Sequence, residues 1–324
     1  MPLHKPVAFA GIVALCLCGA GAWGLTTAQR LTVLWERADA QYAKGDLAAA
    51  LQTAQDAVKL APDNGVAWAF LGWVQLQSGD WDAAEKSYKE ALRRSPHSGH
   101  VYHGLGMLLY ERGRLAEAEN VFSEGLKADP AYAPLHCALG FLAAIDGRSE
   151  EALSRLQEGL ARATTDGMRA EARNLLAYEY AYQGNLPEAI RQVRLAISLR
   201  PNDPYYRDSL AALAALSGQY AQAEAQARKT LAMRGAPAAT TAVLAFCLAA
   251  QGKPQEARAA LAPVLQQASP TGDGVKFDLV YFAIRTYLEL GECVPAKLLY
   301  QPLAARYPRH PWLTALRGKI GAIP

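Results

Sequence analysis

The apolar residues between positions 65 and 98 have the spacing of two short amphipathic helices. The first helix ends at Gly79, since glycine readily takes the left-handed conformation that follows a last helical turn. The second helix is predicted from about Trp81 to Arg94, because Pro96 forbids a further turn. Their apolar faces are formed by Trp68, Leu71 and Leu76 in the first helix and by Ala84, Tyr88 and Ala91 in the second.

The same pattern recurs along nearly the whole chain. Eight glycines equivalent to Gly79 follow one another at intervals of 34, 34, 34, 37, 34, 34 and 39 residues. They are Gly45, Gly79, Gly113, Gly147, Gly184, Gly218, Gly252 and Gly291. In seven of the eight units a small residue of the first helix also recurs opposite an alanine of the second, as Gly72 does with Ala84, whereas the last unit has Ile284 opposite Ala296. A fixed period of this length indicates one helical unit copied in tandem, in which each copy buries its apolar face against a neighbour.

The repeated unit resembles the tetratricopeptide (TPR) signature, through Trp68, Leu71, Gly72, Gly79, Ala84, Tyr88, Ala91 and Pro96. The following unit repeats the signature at Tyr102, Leu105, Gly106, Gly113, Ala118, Phe122 and Pro130. Eight repeats are delimited at approximately 31–64, 65–98, 99–132, 133–166, 170–203, 204–237, 238–271 and 277–310. The resemblance implies an all-α fold, a right-handed solenoid of antiparallel helix pairs whose concave groove holds peptides or proteins. It implies neither catalysis nor a cofactor.

Two irregular intervals interrupt the period. Three extra residues lie around Thr164 to Met168, where we predict a local break in the stacking of repeats. Five more lie around Ser269 to Lys276, a segment rich in turn residues. After the last repeat, residues 311–324 form a cap and tail: Pro311 begins a short helix whose apolar stripe covers the end of the stack. That stripe consists of Trp312, Leu316 and Ile320.

Residues 1–30 lie outside the repeats and contain an apolar segment. Val7 to Leu25 is nineteen residues without a charge, and as a helix it is about 28 Å long, enough to span a bilayer core. The segment is either an uncleaved membrane anchor or a signal peptide that is cut after Ala22. Both interpretations export the repeats, and we predict a bacterial inner-membrane location with the repeats in the periplasm. Cys137, Cys247 and Cys293 fall in three different repeats, and such a set favours the alternative, an adaptor that faces the cytoplasm.

Charge and candidate chemistry exclude several function classes. The net charge is only +3, with acidic and basic residues interleaved, so no nucleic-acid partner is predicted. His97, His100 and His103 have a spacing that invites a metal site, but no carboxylate or cysteine nearby completes the ligand set, and we predict no bound metal. His136 takes the aromatic position of Trp68 and is predicted to be a core residue. The chain carries no catalytic or phosphate-binding motif, so we predict neither an enzyme nor a cofactor.

A stripe of aromatic residues and methionine follows the first helices at positions that tend to face the groove in TPR proteins. The predicted groove residues are Trp73, His103, Met107, Phe141, Tyr178, Phe246 and Tyr281. Aromatic and methionine side chains give adaptable contact area for an apolar or amphipathic partner segment. The alternative is that these rings fill the seams between adjacent first helices.

These observations predict a non-catalytic scaffold or assembly factor of the bacterial cell envelope, which binds partner proteins in an apolar and aromatic concave groove. Two alternatives stay open. One is a carbohydrate-binding module in which Trp73, Phe141 and Tyr178 stack on the sugars of an exported polysaccharide. The other is the membrane-tethered adaptor that faces the cytoplasm.

Overall fold

The computed structural model of the protein describes residues 26–321, and all regular structure in that range is helical. Seventeen α-helices follow one another without a strand in these residues. In chain order they are α1 (Thr27–Ala43), α2 (Leu47–Leu60), α3 (Gly65–Gln77), α4 (Trp81–Arg94), α5 (Gly99–Glu111), α6 (Leu115–Ala128), α7 (Ala133–Ile145), α8 (Ser149–Arg162), α9 (Asp166–Tyr182), α10 (Leu186–Leu199), α11 (Pro204–Leu216), α12 (Tyr220–Leu231), α13 (Ala238–Ala250), α14 (Pro254–Leu265), α15 (Phe277–Glu289), α16 (Cys293–Arg306) and α17 (Pro311–Gly321).

The helices from α1 to α16 form eight consecutive pairs, as the 34-residue period predicts, and the odd-numbered helix is the first of each pair. The chain divides into two compact units, with the division between Ala138 and Leu139 inside α7. We call residues 26–138 the N-terminal unit and residues 139–321 the C-terminal unit. Among the described residues no helix is both long and apolar enough to cross a membrane. The segment Val7 to Leu25, for which an anchor or signal is predicted, lies outside the described residues.

The predicted turn chemistry is confirmed at the ends of the first helices. Each of the eight periodic glycines has a positive φ, between 72° and 83°, where a β-carbon would be strained. Short polar side chains begin several helices: the Asp80 carboxylate, for example, accepts a hydrogen bond from the Ala83 backbone N–H at 3.1 Å. These local devices explain why the observed bounds of α4 match the predicted Trp81 to Arg94.

The small residues of the first helices permit close packing within a pair. A β-carbon added to Gly72 would lie 3.0 Å from the Tyr88 ring, and one added to Gly140 would lie 2.7 Å from Leu156. Both distances are below normal van der Waals contact, so the approach of first and second helices depends on the missing side chain.

The break predicted near residue 165 is not observed. Helix α9 has 17 residues, whereas the other first helices from α3 onward have 13. The three inserted residues therefore lengthen the start of α9 rather than forming a loop, and α9 packs against both α8 and α10. The second insertion does form a loop, which connects α14 to α15.

The predicted cap is confirmed as α17, whose residues Trp312, Leu316 and Ile320 are buried. The Tyr300 hydroxyl of α16 donates a hydrogen bond to the Leu313 carbonyl at 3.1 Å, which fixes the start of α17 against the last pair. Helix α16 contains Pro302 and continues past it to Arg306.

Candidate functional site

In the N-terminal unit, the predicted groove residue Trp73 lies in the seam between α1 and α3. Its ring is 5.3 Å from Tyr42 and 6.1 Å from Phe70 between centroids, and Trp35 of α1 continues the row. Trp73 is only 6% exposed. The Tyr42 hydroxyl donates a hydrogen bond to the Gln77 side chain at 2.8 Å, so polar atoms border the aromatic row.

The next first helix, α5, carries His103 and Met107. His103 is half-buried, and its ring lies 6.0 Å from Phe122 and 6.3 Å from Tyr132. His100 shares a hydrogen bond of 3.2 Å between Nδ1 and the Tyr132 hydroxyl. Burial lowers the pKa of His103 to about 3 and that of His100 to about 4, so both rings are neutral at physiological pH. Met107 is buried.

The structure gives the histidine run no metal-binding geometry. His97 is exposed in the turn before α5, whereas His100 and His103 pack on Tyr132. Within residues 26–321 no group of three or more His, Cys, Asp or Glu side chains is placed to hold a metal ion. His136 is confirmed as a core residue, since it is buried and its Nε2 lies 3.0 Å from the Pro130 carbonyl. Trp68 makes the equivalent bond to the Pro62 carbonyl at 2.8 Å.

In the C-terminal unit the four predicted groove residues, Phe141, Tyr178, Phe246 and Tyr281, are all buried. Phe246 contacts Phe282 of the next first helix at 5.8 Å between ring centroids. The Arg285 guanidinium lies 4.5 Å from the Phe246 centroid, a distance at which the cation is attracted by the ring face. Phe246 thus fills a seam between α13 and α15. Whether any of the predicted groove residues contacts a partner stays a prediction.

Tyr178 and Tyr281 meet in an aromatic cluster around Trp312 of α17. The Trp312 ring is stacked on Tyr281 at 4.9 Å, lies edge-on to Tyr182 at 5.0 Å and is 5.9 Å from Tyr178. His310 extends the cluster, stacked on Phe277 at 4.0 Å. The first helix of the fifth repeat and that of the eighth are joined through the segment that enters the cap.

A salt bridge accompanies this cluster. The Arg309 Nε and Nη2 atoms donate two hydrogen bonds to the Asp146 carboxylate, each 2.6 Å long. Asp146 lies in the turn after α7, in the fourth repeat, 163 positions earlier in the chain. The sequence identified Trp312 as part of a cap, but no local pattern indicates that the residues ahead of it reach the fourth and fifth repeats.

Buried polar side chains lie beside the tyrosines. The Tyr178 hydroxyl donates a hydrogen bond to Ser209 Oγ at 3.4 Å. Burial raises the pKa of Asp208 to about 7, and the charge of Asp278 adds to the rise. Burial also raises the pKa of Asp278, although a hydrogen bond with Tyr178 opposes it. These buried polar side chains lie on the first helices of the fifth, sixth and eighth repeats.

Comparisons with known proteins agree with this architecture. Models described as tetratricopeptide repeat match residues 41–89, 71–133, 142–204, 204–229 and 238–263. No curated protein matches the chain significantly.

Two solved structures share the fold over most of the chain. One is from the APC/C hetero-tetramer Cut9-Hcn1, with 18% identity, a TM-score of 0.63 and 89% of this chain covered, and the match spans only 55% of that chain. The other is a tetratricopeptide repeat protein from Parabacteroides merdae, with 21% identity, a TM-score of 0.56, and coverage of 80% of this chain and 99% of that one. Tetratricopeptide repeat proteins are generally non-catalytic scaffolds that bind other proteins. The periodic glycines, the helix pairs and these matches together place the chain in the tetratricopeptide repeat family.

Proposed function

We propose that the protein is a non-catalytic scaffold or assembly factor of the bacterial cell envelope that holds a partner protein along the first helices of its N-terminal unit. The observation that carries the proposal is the border of accessible groups beside the aromatic row of α1, α3 and α5. Asp39 and Gln77 are exposed, and Tyr42 and His103 are half-buried. A partner segment laid along these helices would meet polar groups at its edges and aromatic side chains beneath.

The composition of this border favours a protein partner over a polysaccharide. Sugars stack on exposed ring faces, but Trp73, Phe141 and Tyr178 are buried. Side chains such as those of Tyr42, His103 and Gln77 offer donors and acceptors of the kind that form the rim of protein interfaces. The likeness to a chain of the Cut9-Hcn1 hetero-tetramer is one of fold. It supports the proposal only in that a chain with this fold is part of a protein assembly.

The envelope location rests on the sequence. Val7 to Leu25 is an uncharged segment long enough for an anchor or a signal, and only Lys5 and His4 precede it with a basic side chain. A reporter enzyme fused after Pro324 tests export. Activity of a periplasm-dependent reporter is expected, whereas activity of a cytoplasm-dependent reporter alone would contradict this part of the proposal.

The partner-binding part is tested by crosslinked affinity purification from native membranes. The Asp39→Arg, Gln77→Arg double variant adds bulk and charge at two exposed positions of the proposed face. Lys86→Glu, at an exposed position of α4, is the matched control on a second helix. We expect the double variant to lose proteins that the wild type and the control retain. Equal recovery by all three chains would refute binding along these first helices.

A further inference from the structure

One contact in the C-terminal unit differs from ordinary solenoid packing. In a repeat array each unit touches its neighbours, but Arg309, at the end of the eighth repeat, binds Asp146 of the fourth. The backbone also approaches closely there, since a β-carbon added to Gly147 would lie 3.3 Å from the Arg309 carbonyl oxygen. The end of the chain is therefore attached to the start of its own unit.

The attached segment places Arg309 against the turn after α7, and it places His310 and Trp312 against the first helices α9 and α15. We call residues 309–312 the clasp and define the clasp face as Asp146, Tyr178, Tyr182, Phe277 and Tyr281. Trp312 contacts all three tyrosines of this face. His310 stacks on Phe277 and lies edge-on to Tyr182 at 5.0 Å. The clasp thus presents one cation and two aromatic rings, and the clasp face presents one carboxylate and four aromatic rings.

The docked clasp carries an internal cost. His310 is 1% exposed, and within the described residues neither of its ring nitrogens has a hydrogen-bond partner. Buried polar groups that lack partners weaken the packing around them. Arg309 is 72% exposed, so its ion pair is open to competition by solvent and by other ligands.

We propose that the clasp is an intramolecular ligand, and that the clasp face binds a partner segment of the same chemistry, an arginine followed within three residues by an aromatic side chain, once the clasp is released. The inference rests on the proposed scaffold function and adds a second, normally occupied binding face to it. Tethering gives the clasp an effective concentration on the order of millimolar at its own face. A partner segment must therefore displace it, which makes binding at this face conditional.

The test is a fluorescence-anisotropy titration of a labelled peptide of residues 307–313 against the full chain purified in detergent. The Arg309→Ala, Trp312→Ala double variant removes two of the three contacting side chains of the clasp, and Lys319→Ala in α17 is the matched control. We expect the double variant to bind the peptide at least tenfold more tightly than the wild type and the control do. Equal affinities of the three chains would overturn the proposal.

A charge exchange keeps the test decisive if the double variant loses its helical circular dichroism. Arg309→Ala alone truncates a mostly exposed side chain, and it is expected to increase peptide affinity. Adding Asp146→Arg should then abolish binding of the normal peptide and permit binding of a peptide with Glu in place of Arg309, because residue 309 of the protein carries no charge that could re-form the ion pair. Binding that ignores this exchange would overturn the assignment of the face.

Size-exclusion chromatography with light scattering settles whether the clasp acts within one chain. A wild-type dimer that Trp312→Ala converts to a monomer would mean that the clasp docks on a second copy, which contradicts an intramolecular ligand. The titration contains no envelope partner, so a negative result would count against the clasp proposal alone. Co-purification of partners that depends on Asp39 and Gln77 would still be expected. Loss of that co-purification would in turn leave the titration unchanged.

Discussion

The ion pair between Arg309 and Asp146 gives a quantitative test of the attachment of the clasp to the fourth repeat. Arg309→Ala and Asp146→Ala each remove both hydrogen bonds of 2.6 Å. The Arg309 side chain is 72% exposed and that of Asp146 is 24% exposed, so solvent screens the pair. Exposed pairs contribute about 0.2–1 kcal/mol, and the two-pronged geometry places this one near the upper limit. We therefore expect a coupling free energy of about 1 kcal/mol.

The assay is a double-mutant cycle on the free energy of opening of α17, measured by native-state hydrogen exchange. Asp146 also accepts a hydrogen bond from Arg148 at 3.0 Å, and the cycle cancels the loss of that contact because it is common to two arms. Each single variant should lower the opening free energy, and the double variant should lower it little further. Additive effects, with a coupling near zero, would refute the attachment of the C-terminus to the fourth repeat.

Three further predictions follow from other contacts. Gly106→Ala should destabilise the N-terminal unit by about 1–3 kcal/mol in urea unfolding, because the new β-carbon would overlap the Phe122 ring; an unchanged midpoint would contradict this close packing. His136→Leu should cost about 1–2 kcal/mol through the lost bond to the Pro130 carbonyl, whereas His136→Trp should restore stability if the position is equivalent to Trp68. Burial lowers the pKa of His310 to about 3, so docking of the clasp is fully stable above the free value near 6.5 and weakens as pH falls toward 3, by about 2 kcal/mol at pH 5. Comparison with His310→Asn separates this effect from that of Asp208, whose raised pKa acts in the opposite direction; equal pH slopes in the two chains would refute it.

The helix pairs could be predicted from the sequence because their causes are local. A glycine with positive φ, a capping side chain such as the Asp80 carboxylate and a small residue such as Gly72 opposite a larger side chain all act within one repeat. The position of His136 was also predictable, since its spacing matches that of Trp68. The glycine with positive φ occurs in all eight repeats, and its spacing therefore gives the period directly.

The insertion in the fifth repeat and the clasp could not be predicted in the same way. Three extra residues fit equally well into a loop or into one more helical turn, and the Thr165 side chain decides for the helix by accepting a hydrogen bond from the Met168 backbone N–H. The contact of Arg309 with Asp146 depends on the combined rotation and translation of several consecutive repeats. The sequence pattern of a single repeat does not determine that combination. The predicted aromatic stripe contained Tyr178 and Tyr281 without indicating that Trp312 lies on both.

The measurement that tests the central claim most directly is site-specific photo-crosslinking in native membranes. A photoreactive residue at Gln77 samples the proposed partner face on α3, and one at Lys86 samples an exposed position on α4. The scaffold proposal predicts a discrete crosslinked protein from position 77 and none from position 86. Crosslinks of equal yield from both positions, or from position 86 alone, would contradict a partner held along the first helices.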